Sequence, residues 1–113
     1  MTSIPFHTTD WDRLPVTEHR GENGIAIWRT INYGDLRIRM VEYSPGYVSD
    51  HWCQRGHILL CIEGSMTTEL SNGEKFNMKA DMSYEVSDGV SSHRSSTKTG
   101  AKLFIVDGGF LKE

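Results

Sequence analysis

The stretch DLRIRMVEY, residues 35–43, alternates apolar and charged side chains. Leu36, Ile38 and Met40 occupy one set of alternate positions, with Arg37 and Arg39 between them. Successive side chains of an extended chain point to opposite faces of a sheet. The alternation therefore predicts a β-strand with one face on a core and the other in water.

Short runs of the same kind fill the chain from Ile25 onward, separated by turns that mostly contain glycine. We predict strands near 25–32, 35–43, 47–53, 57–63, 65–70, 75–78, 82–87, 91–95 and 101–107. No long segment has the 3.6-residue period of a helix. Regularly spaced short strands are typical of an all-β sandwich or barrel.

The N-terminal segment 1–24 has an irregular pattern, and we expect the β-barrel to span 25–110 within one domain, 1–113. The stretch TTDWDRLP, residues 8–15, predicts a single helical turn capped by Thr9 or Asp10. We expect this segment to add an edge strand or to cover a rim of the barrel.

Composition restricts the classes of partner. The net charge is −3 and no run of basic residues occurs, which argues against nucleic acid and anionic lipid as partners. The longest apolar run, Ile58 to Ile62, is too short to cross a membrane. The first residues lack the pattern of a secretory signal, so we expect a cytoplasmic protein in which Cys53 and Cys61 remain thiols.

The stretch DHWCQRGH, residues 50–57, concentrates metal-binding side chains. On a strand, His51 and Cys53 would share a face, and a turn at QRG would bring His57 opposite Cys53 on the next strand. His93 lies in a later strand and would arrive from across the barrel. Imidazole and thiolate suit a transition metal such as Zn, Fe, Ni or Cu better than Mg or Ca, so we predict a metal site at His51, Cys53, His57 and His93.

Two alternatives stay open at this point. The four side chains can form a polar lining that binds no metal, or Cys53 can stand aside and leave three histidines with vacant positions for water or substrate. Among other polar residues, we interpret Arg37 and Arg39 as a solvated face and consider Glu42 and Glu63 as weak candidates for a general base.

The segment PGYVSDHWCQRGHILLCIEG, residues 45–64, resembles the first motif of the cupin superfamily. Its Pro-Gly turn is followed by ligand positions at His51, Cys53 and His57, and then by Gly64. The segment GEKFNMKADMSYEVSDGVSSHRSST, residues 73–97, resembles the second motif, with His93 as its ligand. The resemblance covers roughly residues 36–107, and DHWC followed by GH is similar to the small bacterial DHCW-motif cupins.

The resemblance implies a single-domain cupin, a double-stranded β-helix or jelly-roll barrel, that holds a small molecule in its pocket. Cys53 stands where most cupins have histidine, and His57 stands where they have glutamate, so no particular cupin reaction is transferred. Two functions remain: a metalloenzyme acting on a small polar metabolite, or a non-catalytic binding or sensing module. We also expect a homodimer that covers exposed apolar surface such as the face of Trp28 or Trp52.

Overall fold

The computed structural model describes residues 3–112, so the first two residues and the last residue of the predicted domain lie outside the described part. Eight strands and two short 3₁₀ turns make up its regular structure. The strands are β1 (Thr17–Arg20), β2 (Ile25–Tyr33), β3 (Leu36–Tyr43), β4 (His57–Leu70), β5 (Lys75–Lys79), β6 (Ser83–Val86), β7 (His93–Ser96) and β8 (Ala101–Asp107). The all-β prediction is confirmed, and among residues 3–112 no helix is long and apolar enough to cross a membrane.

The strands form two antiparallel sheets that share β4. The first sheet runs β1-β2-β3-β8 and continues through the first half of β4 to β6. The second half of β4 pairs with β5 on one side and β7 on the other. The long central strand therefore joins the two walls of the jelly roll.

Gly64 allows β4 to pass from one sheet to the other. Its φ is +76°, and a Cβ atom there would lie 2.2 Å from the carbonyl oxygen of Gly100. The ladder to β8 also shifts register between Cys61 and Glu63, as at a β-bulge. The sequence predicted a turn here and two strands, at 57–63 and 65–70. The structure instead has one strand that bends, because glycine permits a left-handed kink without ending the strand.

The core lies between the two sheets. Its buried apolar side chains come from both walls, and Leu59, Cys61, Val41 and Leu103 are almost fully enclosed. Both cysteines are free, as predicted. Alternate side chains of the first half of β4, beginning with His57, are buried on the side of this core.

The N-terminal segment contains both features predicted for it. Trp11–Arg13 form a 3₁₀ turn, and the side chain of Asp10 accepts a hydrogen bond from the backbone N–H of Asp12 as its N-cap. Strand β1 pairs with β2 at the edge of the first sheet. The part of this segment from Thr17 to Arg20 is therefore regular rather than irregular.

The predicted strand 47–53 is wrong. This segment makes only isolated bridges, from Val48 to Asn23 and Ser96 and from Cys53 to His93. The backbone N–H of Ser49 donates to the carbonyl of Ser95, and that of Cys53 donates to the carbonyl of His93. Between these two hydrogen bonds the chain advances four residues, from Ser49 to Cys53, whereas the partner segment covers only two, from Ser95 to His93. Residues 50–52 therefore loop out of the ladder.

Candidate metal centre

Cys53 and His57 lie four residues apart in the sequence, and the fold brings His93 to them from β7. Cys53 ends the looped segment beside β7, His57 begins β4, and His93 begins β7. One ligand atom from each residue lies within 4.8 Å of the other two. We call these three residues the Cys-His cluster.

The predicted hairpin between Cys53 and His57 is wrong, although the two side chains meet. Cys53 exchanges two backbone hydrogen bonds with His93, whereas His57 pairs with Val86 of β6. The thiol and the imidazole still approach, with Cys53 Sγ 3.6 Å from His57 Nε2. The two residues lie four apart in the chain, and each is held in place by a different strand, β7 for Cys53 and β6 for His57.

The structure does not bring His51 into the cluster. Its side chain is 70% exposed, and its Nδ1 lies 2.7 Å from Oδ1 of the neighbouring Asp50. The loop at 50–52 removes the alternation that would have put His51 on the same face as Cys53. His51 lines the cavity described below but is not part of the group of three ligand atoms.

Hydrogen bonds fix both imidazoles in orientations suited to metal binding. His93 Nδ1 donates to the carbonyl of Ser91 at 3.0 Å, which leaves Nε2 with its lone pair, and this buried atom has no hydrogen-bond partner. His57 Nδ1 lies 3.0 Å from the carboxylate of Asp107, so its Nε2 faces Cys53. A second hydrogen bond that orients the ring is typical of histidines that bind metals.

Asp107 belongs to the candidate site, and the sequence reasoning missed it. It is fully buried at the end of β8, and its carboxylate contacts Arg37, Arg39, Arg55 and His57. A signal was available in AKLFIVD, residues 101–107, where alternate residues are buried. Continuing that alternation from the apolar positions places the acid on the inner face.

The interpretation of Arg37 and Arg39 as a solvated face is wrong. Arg39 is only 5% exposed, and both arginines form ion pairs with Asp107 at about 3 Å. The outer face of β3 is the one with Ile38 and Met40, because these residues pair with Val106 and Phe104 on the far side of the sheet from Asp107. Alternation predicts the strand but does not say which face is inside.

Electrostatics favour a thiolate at Cys53. Burial raises the pKa of this thiol, but the neighbouring imidazoles of His57 and His93 outweigh burial and lower the pKa to about 5. For His57, burial lowers the pKa, and the hydrogen bonds to Asp107 and Cys53 raise it above its ordinary value. A thiolate is the form of cysteine that binds metals and acts as a nucleophile.

A cavity of about 260 Å³ opens onto the Cys-His cluster. Burial raises the pKa of Tyr43 to about 12 and also raises that of Tyr84, so both phenols in its wall stay protonated at neutral pH. Glu42 and Glu63, considered as general bases, line a different cavity. Trp28 faces the cluster cavity, whereas Trp52 is 41% exposed beneath Arg94.

Several solved structures resemble this chain. A predicted oxalate decarboxylase from Thermotoga maritima matches with a TM-score of 0.77 and 13% identity, over 90% of this chain and 98% of that one. An RmlC-like cupin from Shewanella frigidimarina matches with a TM-score of 0.71 and 16% identity, over 92% and 91%. The Fe(II) form of HppE matches with a TM-score of 0.75 and 13% identity, over 95% and 62%.

No protein-family model matches the sequence, and no curated protein matches it. The structural likeness is nevertheless consistent along nearly the whole chain. The chain therefore has the cupin fold, as its sequence motifs predicted.

Proposed function

We propose that this cupin-fold protein binds a transition-metal ion through Cys53, His57 and His93 and acts at that metal on a small polar metabolite. The observation that carries the proposal is the buried Nε2 of His93, which has no partner and belongs to a group of three ligand atoms within 4.8 Å. A buried acceptor without a partner is unfavourable unless something binds it. A metal ion at this point would satisfy it.

The donor set fits a borderline or soft divalent ion. Two imidazoles and one thiolate suit Zn, Fe, Ni or Cu, and one of the structural neighbours holds Fe(II). A metal with three protein ligands keeps positions free for water or substrate, which is the arrangement of catalytic rather than structural sites. When bound, such an ion would polarise a carbonyl group or activate water or oxygen.

The protein's own residues supply the rest of the proposed activity. The carboxylate of Asp107 orients the ring of His57 so that its Nε2 faces Cys53, and the carbonyl of Ser91 orients the ring of His93. Protonated Tyr43 and Tyr84 line the cavity as neutral side chains. The alternative function, a non-catalytic binding or sensing module, would use the same cluster without turnover.

Metal binding can be tested through the two cysteines. In the metal-free protein, we expect Cys53 to be alkylated readily at neutral pH, because its pKa is about 5. Bound metal should slow alkylation of Cys53 by more than about tenfold, because its thiolate is then a ligand. Cys61 is the matched control, since it is fully buried and should react slowly in both forms.

A cobalt-substituted sample gives an independent measurement of the same bond. Co(II) bound through Cys53 should produce an intense near-ultraviolet thiolate charge-transfer band that Cys53→Ser removes. Equal alkylation rates with and without metal, together with no such band, would show that Cys53 is not a ligand. Elemental analysis of protein purified without an affinity tag would identify the native metal, and a metabolite thermal-shift screen would identify ligands. A tightly bound redox metal with an open position would favour an enzyme, whereas a closed four-coordinate metal, or none, would favour a binding module.

We also propose a homodimer formed through the outer face of the first sheet. Two rows of side chains in register cross this face, and Ile58 and Leu60 are each about 40% exposed within them. The first row is Ile31, Ile38, Val106 and Ile58, and the second row is Arg29, Met40, Phe104 and Leu60. A mainly apolar face of this kind favours association, and two-fold pairing is the commonest outcome.

Charge on that face should separate the subunits. We expect sedimentation to give a dimer for the natural sequence and a monomer for the double variant Ile58→Lys, Leu60→Lys. Phe76→Lys changes a similarly exposed residue of the second sheet and should remain dimeric. A natural protein that sediments as a monomer at micromolar concentration would contradict the proposal.

We propose that the protein is located in the cytoplasm. Both cysteines are free, and a reducing compartment keeps such thiols reduced. The proposed ligand is a small molecule rather than nucleic acid or a membrane, because the net charge is −3 and the arginines described below line a cavity.

A further inference from the structure

The cavity beside the Cys-His cluster is lined by arginines. Four of them contribute to its wall, and within residues 3–112 the lining includes no aspartate or glutamate. The four are Arg37, Arg39, Arg55 and Arg94. A cavity enclosed by low-dielectric protein concentrates the field of such charges and attracts anions.

Arg94 is already balanced and contributes little to this excess. It pairs with Glu69 at 3.3 Å and with Glu22 at 3.7 Å, and it stacks over the ring of Trp52. The remaining three arginines, which we call the arginine group (Arg37, Arg39 and Arg55), share one carboxylate, that of Asp107. Three guanidinium charges against one carboxylate leave a positive excess next to the cluster.

The hydrogen-bond capacity of the arginine group is not exhausted by Asp107. Arg37 uses Nε and Nη2 on the two oxygens of that carboxylate, at 2.9 and 3.0 Å. Arg39 is 5% exposed and donates through Nη2, but its buried Nε has no partner. Nη1 of Arg55 lies 3.6 Å from Oδ1 of Asp107, which is too long for a hydrogen bond, and no described side chain accepts a hydrogen bond from Arg55.

The arginine group is also directly connected to the cluster. Oδ2 of Asp107 lies 3.0 Å both from Arg39 Nη2 and from His57 Nδ1. One carboxylate thus separates a guanidinium group from an imidazole of the cluster. A ligand that paired with an arginine of this group would hold its neighbouring atoms near Cys53 and His57.

We infer that the cavity binds a small metabolite with a carboxylate group, which pairs with Arg55 while an adjacent oxygen faces the Cys-His cluster. The inference rests on the proposed metal function for that second contact, whereas the pairing with Arg55 needs no metal. Arg55 pairs with Asp107 only at 3.6 Å, and its guanidinium fork matches the two oxygens of a single carboxylate. The cavity volume of about 260 Å³ is below the roughly 300–1,000 Å³ of pockets that hold drug-sized ligands, so the cavity suits a smaller molecule.

Calorimetric titration with malonate tests the inference, with malonamide as a neutral analogue of the same shape. We expect the zinc-loaded protein, freed of unbound zinc, to bind malonate at least about tenfold more tightly than malonamide, because only the dianion forms charge-assisted hydrogen bonds. Arg55→Gln should weaken malonate binding by about ten- to a hundredfold. Arg20→Gln removes the same charge from the exposed edge strand and should leave malonate binding unchanged.

Two further measurements separate this inference from the proposed metal site. Arg55→Gln should keep the natural affinity for zinc in a chelator competition, because no side-chain contact joins Arg55 to the cluster. The metal-free protein should still bind malonate, although more weakly than the zinc-loaded protein does. Arg55→Gln should reduce the malonate affinity of the metal-free protein by the same factor. If zinc does not bind but this Arg55-dependent binding persists, the metal proposal fails and the inference stands.

Three results would overturn the inference. Equal affinities for malonate and malonamide would show that charge is not recognised. Unchanged malonate binding by Arg55→Gln would show that the arginine group is not the anion site. Tighter binding of methyl phosphate than of malonate would assign the cavity to phosphate instead of carboxylate.

Discussion

His93→Ala should abolish stoichiometric metal binding. Its Nε2 is buried without a partner, so removing the imidazole removes one of the three proposed ligand atoms, while the backbone hydrogen bonds to Cys53 remain. Loss of groups that merely orient a ligand costs about 10- to 100-fold in metal affinity, and loss of the ligand itself should exceed that range. Titration of the metal-free protein with Zn(II) or Co(II) against a competing chelator measures the change.

His51→Ala is the matched control for this prediction. The same chemical change is made in a histidine that lines the cavity, but its side chain is 70% exposed and hydrogen-bonded to Asp50. We therefore expect His51→Ala to retain the metal affinity of the natural protein. If His51→Ala lost the metal and His93→Ala kept it, the three-residue cluster would be the wrong ligand set, and the sequence-based assignment of His51 would regain support.

Circular dichroism separates a lost site from a lost fold. His93 lies at the first position of β7, and the strand keeps its backbone hydrogen bonds when only the imidazole is removed. The β-rich spectrum of His93→Ala should therefore match that of the natural protein. An unfolded variant would be replaced in the test by His93→Gln, which retains bulk and hydrogen bonding but binds metal poorly.

Asp107→Asn should destabilise the protein by about 3–5 kcal/mol, the usual cost of removing one partner from a buried ion pair. Asp107 is fully buried, and its carboxylate is the shared partner of the arginine group and His57. The asparagine amide has nearly the same shape, but it is neutral and turns an NH₂ group toward neighbours that also donate. Urea unfolding measures the loss in free energy.

The same residue should give the stability a dependence on acid. Burial raises the pKa of Asp107, but hydrogen bonds from His57 and Arg37 and the charges of Arg39 and Arg37 outweigh it and hold the pKa below its ordinary value of 3.8. A depressed pKa means that the stabilisation is fully present above the unfolded-state pKa. It is lost as the pH falls below that value and through the folded-state pKa.

We therefore expect the natural protein to lose stability steeply below about pH 4, and Asp107→Asn to lose less over the same interval. Asp50→Asn is the control, because Asp50 is exposed and pairs only with the adjacent His51. It should show no measurable change in unfolding free energy at neutral pH. Parallel acid profiles for the natural protein and Asp107→Asn would contradict the role given to this carboxylate.

Much of the fold was predictable because it depends on local pattern. Alternation located most of the strands within two residues of their ends, and glycine-containing turns marked most of their boundaries. The errors fall at two places where local pattern is ambiguous. The sequence around Gly64 predicts a turn, but this glycine allows a bend within β4. The sequence of residues 50–52 predicts part of a strand, but these residues loop out of the ladder.

The site was predictable only in part, for a related reason. Cys53, His57 and His93 were recognised from residue type and motif spacing, and the structure brings them together. His51 was assigned to the same group by strand alternation, which does not hold in a segment without a continuous ladder. Arg37 and Arg39 were misread because alternation alone does not tell which of a strand's two faces points inward, and Asp107 was missed because the alternation of β8 was not continued to its last residue.

The sequence by itself determined the class of fold, the short strands and the identity of the three side chains of the Cys-His cluster. Each of these follows from neighbouring residues, whose spacing sets the direction of side chains along a strand. Tertiary structure decided which face of β3 is buried, which histidine approaches Cys53 from β7, and that one carboxylate serves three arginines. Those outcomes depend on which strands pair, because the pairing of β3 with β8 brings together residues as far apart as Arg37 and Asp107 and fixes which charges must share a buried space.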